Sequence, residues 1–392
     1  MLLARRIVCR DPISRHCSRA FCTTMFPTPA PTGKAKKKAA KLVPESVLSL
    51  PAHSAALTAP RIPTPIVDTH THLSSIFSWY KSKYKDGAQQ ETVWDFVRAM
   101  CLTPAEDADA TKNRAKRHNV RAMVDVWCEP ASWNDWREFA DSAVEGSEKK
   151  AAWGSCEYWF AMGVHPHEAK HFTDDVEAVL LEAMKHPRCV SFGEIGLDYH
   201  YSFSEHPVQQ EVFRRQLSHA VKLQKPITIH TREAEDDTEK IMKELIPRDH
   251  RVHVHCFTDS PEFAERLLDH WPNLFIGITG VVTYTTNLNT PEILRRLANR
   301  VKDGTDKTLR ILLETDGPYM TPSNIYESLP ELKKENGGNA QRLPLCHSGM
   351  VPWTAEFVSE VVQGIDRPDG QSWMTESILD VSAKNAAVMY GV

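Results

Sequence analysis

The sequence predicts an α/β fold, a (β/α)8 TIM-type barrel forming a single catalytic domain over residues 61–392, behind a disordered basic extension over residues 1–60. Three observations predict it. From residue 61, eight short β-rich runs alternate with longer amphipathic stretches, the pattern of a parallel sheet with helical crossovers. Chemically active side chains follow run after run, as they do where the strands of a barrel open on one face. No glycine-rich phosphate loop follows the first run, which counts against a doubly wound open sheet.

The extension comes first. MLLARRIVCRDPISRHCSRAF sets arginines among apolar residues with a single acid, the composition of a mitochondrial presequence. PTPAPTGKAKKKAAK follows, rich in Pro, Ala and Lys and without apolar period, so it is expected to be disordered. The lysines of 34–41 suit a nuclear signal or a solvated linker. Translation from Met25 would delete the presequence and leave the protein cytoplasmic or nuclear. Residues 1–60 hold ten basic and two acidic residues, net +8, and the remainder 37 basic and 49 acidic, net −12. So acidic a body does not bind nucleic acid by bulk charge. Metal ions and a few local cations would have to meet a phosphate. Nine cysteines, scattered and without a CxxC pair, argue against a disulfide framework or zinc ribbon. No apolar run approaches a membrane span.

The predicted strands are 65–70, 121–127, 158–164, 190–196, 226–230, 251–255, 274–279 and 310–314, with the clearest helix at 208–223. The first strand runs into His70-Thr-His72. The third meets His165-Pro-His167, and the fourth carries Glu194 and Asp198. The fifth ends at His230 and Arg232, the sixth at His255 and the eighth at Asp316.

These residue types suit a divalent-metal site. His70 and His72, two apart on an extended segment, point to one side. A mixed His/Asp/Glu set without thiolate suits Mg, Mn or Zn and is not a closed structural zinc site. Glu194 can bridge two ions per site, lying about 4 Å apart in such centres. Asp316 can bind a metal and accept the proton of a metal-activated water. Each residue has a plainer alternative. His230 in PITIHTR could be a hydrogen-bonded core residue, Glu194 a buried carboxylate held by backbone N–H groups, and Asp316 a turn residue before Gly-Pro. Their recurrence at successive strand ends favours the metal reading, because burying them all without a ligand would be costly.

VDTHTHL (67–73), GVHPHEA (163–169), GEIGLDY (193–199), IHTREA (229–234), HCFTDS (255–260), ETDGPYM (314–320) and SAKNAA (382–387) resemble, in order and spacing, the motif series of TatD-related metal-dependent DNases of the amidohydrolase-like superfamily. The resemblance covers roughly residues 65–392. It implies a deoxyribonuclease, a 3′–5′ exonuclease on single-stranded DNA, with metal ligands His70, His72, Glu194, His230, His255 and Asp316. Asp316 would be the general base, with Glu194 and His165 completing the catalytic set. His165, His167 and Arg232 would contact substrate. Two departures stand out. The segment after the first strand, 75–100, is long, and PLCHSGMVPWTAEFV (344–358) replaces the Arg-Asn-Glu-Pro segment of many relatives. Both resemble a fungal branch described as partners of a TPR subunit of the anaphase-promoting complex.

Tyr80, Lys81, Lys83, Tyr84 and Lys85 interleave aromatics and cations, which suits base stacking or a solvated helix face with its aromatics packed inward. His347, Trp353 and Glu356 are candidates for one pocket wall, Trp353 equally for core. Two other functions fit the same sequence. One is a hydrolase of a small ester, amide or phosphoester on the same centre, since fold does not fix function. The other is a partner-binding regulatory protein of the cell-cycle machinery.

Overall fold

The structure, a computed structural model, describes residues 42–51, 53, 64–102, 120–332 and 341–392. One parallel sheet runs in chain order through β1 Ile66–Thr71, β2 Val120–Trp127, β3 Glu157–Met162, β4 Cys189–Asp198, β5 Ile227–Arg232, β6 Val252–Val254, β7 Leu274–Ile278 and β8 Ile311–Leu313. Each predicted run lies within two residues of an observed strand. Helices cover the outside, so both faces of the strands are buried, and all ten residues of β4 are. That is why the runs read as nearly continuous apolar stretches.

The helices are α1 Leu73–Tyr84, α2 Val93–Cys101, α3 Trp136–Ser142, α4 Asp174–Ala183, α5 His206–Lys222, α6 Glu235–Leu245, α7 Pro261–His270, α8 Asn289–Lys302, α9 Val351–Val361 and α10 Thr375–Tyr390. Local chemistry sets several starts. Thr92 and Asp95 form a capping box on α2, and Thr173 and Ser260 cap α4 and α7. The helix predicted at 208–223 is α5. It begins two residues earlier, where Pro207 suits a first turn.

The barrel closes between β8 and β1 without a regular ladder. Thr69 Oγ1 donates to Leu313 O at 3.0 Å. Beyond the strand ends, Asp316 N donates to His70 O at 2.9 Å and His72 N to Gly317 O at 3.0 Å. Thr315 donates to Asp68 through both N and Oγ1, at 3.0 and 2.6 Å. α10 staples the seam. Its Ser382 Oγ accepts from Leu313 N at 2.7 Å, and Asn385 Nδ2 donates to Leu309 O and Ile311 O, each at 2.8 Å. The SAKNAA motif is thus structural, with two polar side chains three apart on one helix face satisfying the seam edge of β8.

Residues 42–50, within the span read as the extension, belong with the barrel in the structure. A 3-10 turn, Glu45–Ser49, lies in a strap that packs Val43, Leu48 and Leu50 into the core. Glu45 accepts from Tyr80 Oη at 2.5 Å and from Gln89 N at 3.0 Å. The apolar residues of PESVLSL supply burial that the Pro- and Lys-rich stretch before them lacks. The presequence and lysine run, and with them the targeting expectation, lie outside the described residues.

The strap also accounts for the aromatic–cation stretch, which is helix rather than loop. Tyr80 is fully buried, and Tyr84 Oη donates to Val43 O at 2.9 Å. Neither ring is presented to a base. His347, Trp353 and Glu356 form no wall of the site. His347 Nε2 donates to Leu48 O at 3.0 Å, Trp353 is buried with Nε1 donating to Ser328 Oγ at 3.0 Å, and Glu356 pairs with His53 at 3.4 Å. Among the described residues, no helix is long and apolar enough to cross a membrane.

Candidate metal centre

The six residues singled out as ligands converge at one end of the barrel, and Glu194 is the hub. Its Oε1 lies 2.7 Å from His255 Nε2, 2.8 Å from His230 Nδ1 and 3.4 Å from His165 Nε2. Its Oε2 faces the other way, 3.4 Å from His70 Nε2. Asp316 Oδ1 lies 3.2 Å from His72 Nε2 and 3.8 Å from His70 Nε2. The donors therefore form two lobes that share Glu194. His70, His72 and Asp316 make one, and His165, Glu194 and His230 make the other, each with ligand atoms mutually within 4.8 Å.

Glycines allow this approach. Gly193 and Gly196 flank Glu194, and Gly196 sits in register with His230 on β5. On β7, a Cβ at Gly277 would lie 2.4 Å from Glu314 Oε1 and 2.5 Å from His253 Nε2.

Hydrogen bonds fix which nitrogen each ring turns inward. His72 Nδ1 donates to Val126 O at 3.0 Å, leaving Nε2 for the centre. His230 Nε2 lies 3.2 Å from Asp198 Oδ2, leaving Nδ1. His165 Nδ1 accepts from His167 N at 3.1 Å, so the ring proton sits on Nε2. His70 is fully buried, yet neither ring nitrogen has a hydrogen-bond partner, and His255 Nδ1 lacks one too. Buried polar atoms are rarely left so, and a donor set short of partners fits a divalent ion.

Burial and charge set the protonation. Burial opposes charge on His72, but Asp316 and Glu194 outweigh it and raise its pKa to about 9. Burial likewise opposes charge on His230, and Asp198 with Glu194 raise it to about 10. Burial holds His70 and His165 down at about 3. Burial pushes Glu194 upward, but His255 and His165 hold it well below the usual carboxylate range. Near neutral pH, His72 and His230 thus carry protons when no ion is bound, and each must lose one to become a ligand. Metal binding should release protons at pH 7, and affinity should fall as the pH falls. Calorimetry in two buffers of different ionisation enthalpy checks this. Uptake of protons, or no exchange, contradicts it.

Several residues here were not assigned roles from sequence. Asp198 holds two rings, with Oδ2 at 2.9 Å from His167 Nε2 and 3.2 Å from His230 Nε2. It completes a carboxylate–histidine pair that fixes the orientation of His230. Beneath the centre, Glu314 Oε2 lies 3.0 Å from His253 Nε2, and Tyr390 Oη is 2.6 Å from His253 Nδ1 and 2.9 Å from Thr228 Oγ1. The VHVH alternation of 252–255 carries the signal for His253, which faces the same side as His255. Cys128 follows β2 and joins His72 and Glu194 in a further cluster. Of the residues assigned to substrate, His167 is held by Asp198. Arg232 lies over the ring of Tyr201 at 5.1 Å, and Tyr201 stacks on Phe203 at 5.3 Å.

A family model described as TatD related DNase matches residues 67–391. The human 3′-5′ RNA nuclease TATDN2 is 33% identical over 273 residues, 69% of this chain but 30% of that protein. The 3′-5′ ssDNA/RNA exonuclease TatD of Musicola paradisiaca is 30% identical over 56% of this chain and 75% of its own length. The chain thus spans less than a third of the human relative. Among solved structures, an uncharacterized amidohydrolase from Saccharomyces cerevisiae superposes with a TM-score of 0.58 at 19% identity, over 84% of this chain and 100% of that one. At that identity, the likeness speaks for the fold.

Proposed function

Because the chain belongs to the TatD-related DNase family, we propose that it is a metal-dependent nuclease hydrolysing phosphodiester bonds of single-stranded DNA or RNA from the 3′ end. The observation that carries this reading is Glu194, whose Oε1 faces His230 and His255 and whose Oε2 faces His70 at the open end of the barrel. His70, His72 and Asp316 would hold one divalent ion and His230 and His255 a second, with Glu194 between them and Mg, Mn or Zn as the candidates. Such ions supply a nucleophilic water at neutral pH and positive charge against the phosphoryl oxygens.

The chain's own groups do the remaining work. Asp316 takes the proton of the attacking water on a carboxylate oxygen. His165 is neutral and its proton is on Nε2, so it donates to a phosphate oxygen. Tyr201 and Phe203 offer a stacking face for a terminal base, and Arg232 offers a cation for phosphate. Tyr201→Ala should raise KM roughly five- to 150-fold with kcat little changed, since one base stack is worth about 1–3 kcal/mol. Steady-state kinetics on a labelled oligonucleotide checks this, and a fall in kcat at constant KM removes the stacking role.

The function itself is tested with 3′- and 5′-end-labelled single-stranded DNA and RNA in Mg²⁺, Mn²⁺ or Zn²⁺. A ladder shortening from the 3′ end supports the reading. No cleavage by metal-loaded protein overturns it and favours a small-ester substrate. The proposed mitochondrial, or cytoplasmic and nuclear, placement and the TPR-subunit partner are tested by fractionation and co-purification of chains begun at Met1 and Met25.

A further inference from the structure

Around the open end, β1 brings His70 and His72, β3 His165, β4 Glu194, β5 His230, β6 His255 and β8 Asp316. β2 brings sulfur. Cys128 is the first residue beyond the strand, a free cysteine and buried. Its Sγ forms one group with ligand atoms of His72 and Glu194, all mutually within 4.8 Å. The backbone holds it there. His165 N donates to Cys128 O at 2.9 Å, and His72 Nδ1 donates to Val126 O at 3.0 Å.

A buried cysteine alone is most often a small apolar filler. The second observation is His70, fully buried, with neither ring nitrogen hydrogen-bonded and Nε2 3.4 Å from Glu194 Oε2. Of the donors converging on that carboxylate, His70 is short of a partner, and Cys128 Sγ lies beside the same carboxylate, grouped with His72 and Glu194.

We propose that Cys128 supplies a thiolate ligand to the metal centre on its His72–Glu194 side, and that it biases the centre toward a thiophilic ion, zinc above magnesium or manganese. Soft thiolate selects zinc over the hard, oxygen-seeking ions. The step is a ligand exchange. The S–H bond breaks, its proton leaves to solvent, the sulfur lone pair takes a coordination position, and no electron changes hands. The inference rests on the metal-dependent reading above.

The test is absorption spectroscopy on the metal-stripped full chain titrated with Co²⁺, as wild type and as Cys128→Ser and Cys128→Ala. The expected result is visible ligand-field bands in all three. A near-ultraviolet sulfur-to-cobalt charge-transfer band should appear in wild type and be lost in both variants. In parallel, Zn²⁺ affinity should fall about tenfold or more in the variants, with Mn²⁺ affinity little changed. Ligand-field bands in wild type without charge transfer, or charge transfer that persists in a folded variant, overturn the thiolate while leaving the metal centre intact. No cobalt bands at all overturn the metal reading and the thiolate together. The wild-type spectrum does not depend on either variant folding.

Discussion

Asp316→Asn should lower kcat about 10²–10⁴-fold, the usual worth of a positioned acid–base group, while the barrel stays folded. The substitution keeps the shape of the side chain and removes its charge and its capacity to take a proton. Asp316 Oδ1 faces His72 at 3.2 Å and His70 at 3.8 Å, so one ligand lobe keeps its histidines but loses the charge of Asp316. Asp316 N remains free to donate to His70 O, so the seam survives. Steady-state kinetics on labelled single-stranded DNA, beside far-ultraviolet circular dichroism of the same preparation, separates chemistry from folding. Wild-type turnover in the folded variant would remove Asp316 from the mechanism. A loss of metal affinity with it would assign part of the effect to ligation.

Gly196→Ala should cost about 3–5 kcal/mol of stability, combining overpacking with backbone strain. Gly196 has φ +151°, and a Cβ there would lie 1.9 Å from His230 O and 2.9 Å from His230 C. The obstacle is backbone of the neighbouring strand, so no rotamer change relieves it. β4 and β5 would have to part where Glu194 meets His230, and metal affinity should fall with stability. Gly304→Ala is the control. Its φ is +83° with nothing within 4 Å of the new Cβ, so only the left-handed backbone penalty of about 1–2 kcal/mol is expected. Urea unfolding of both variants measures the contrast. Equal losses would mean that the close approach of the strands is not what demands glycine at 196.

The six proposed ligands were legible because a barrel converts a sequence order into a ring. Any His, Glu or Asp at the end of a parallel strand faces the same opening. His70, Glu194, His230 and Asp316 needed only the strand ends, and these were read to within two residues. What escaped depended on contacts across strands. Asp198 looked like one more acid past Glu194, and its grip on His167 and His230 exists only because β4 continues beside β5. Cys128 belongs to no motif, and a lone cysteine after a strand carries no spacing signal. The strap at 42–50 was hidden by its neighbourhood. Its apolar residues are few, and the Pro- and Lys-rich stretch before them set the reading of the whole extension.

The seam between β8 and β1 bears on how the protein emerges from the ribosome. His70 and His72 are synthesised early, but the groups that satisfy the edge of β8 come from Ser382 and Asn385 on α10. During translation, β1 to β7 can pair in order as they appear, leaving an open sheet with exposed edges. Such edges invite pairing with other chains. The edge of β8 is fully satisfied only once α10 is in place, and an ion bound across the β1–β8 side of the centre would favour the closed ring.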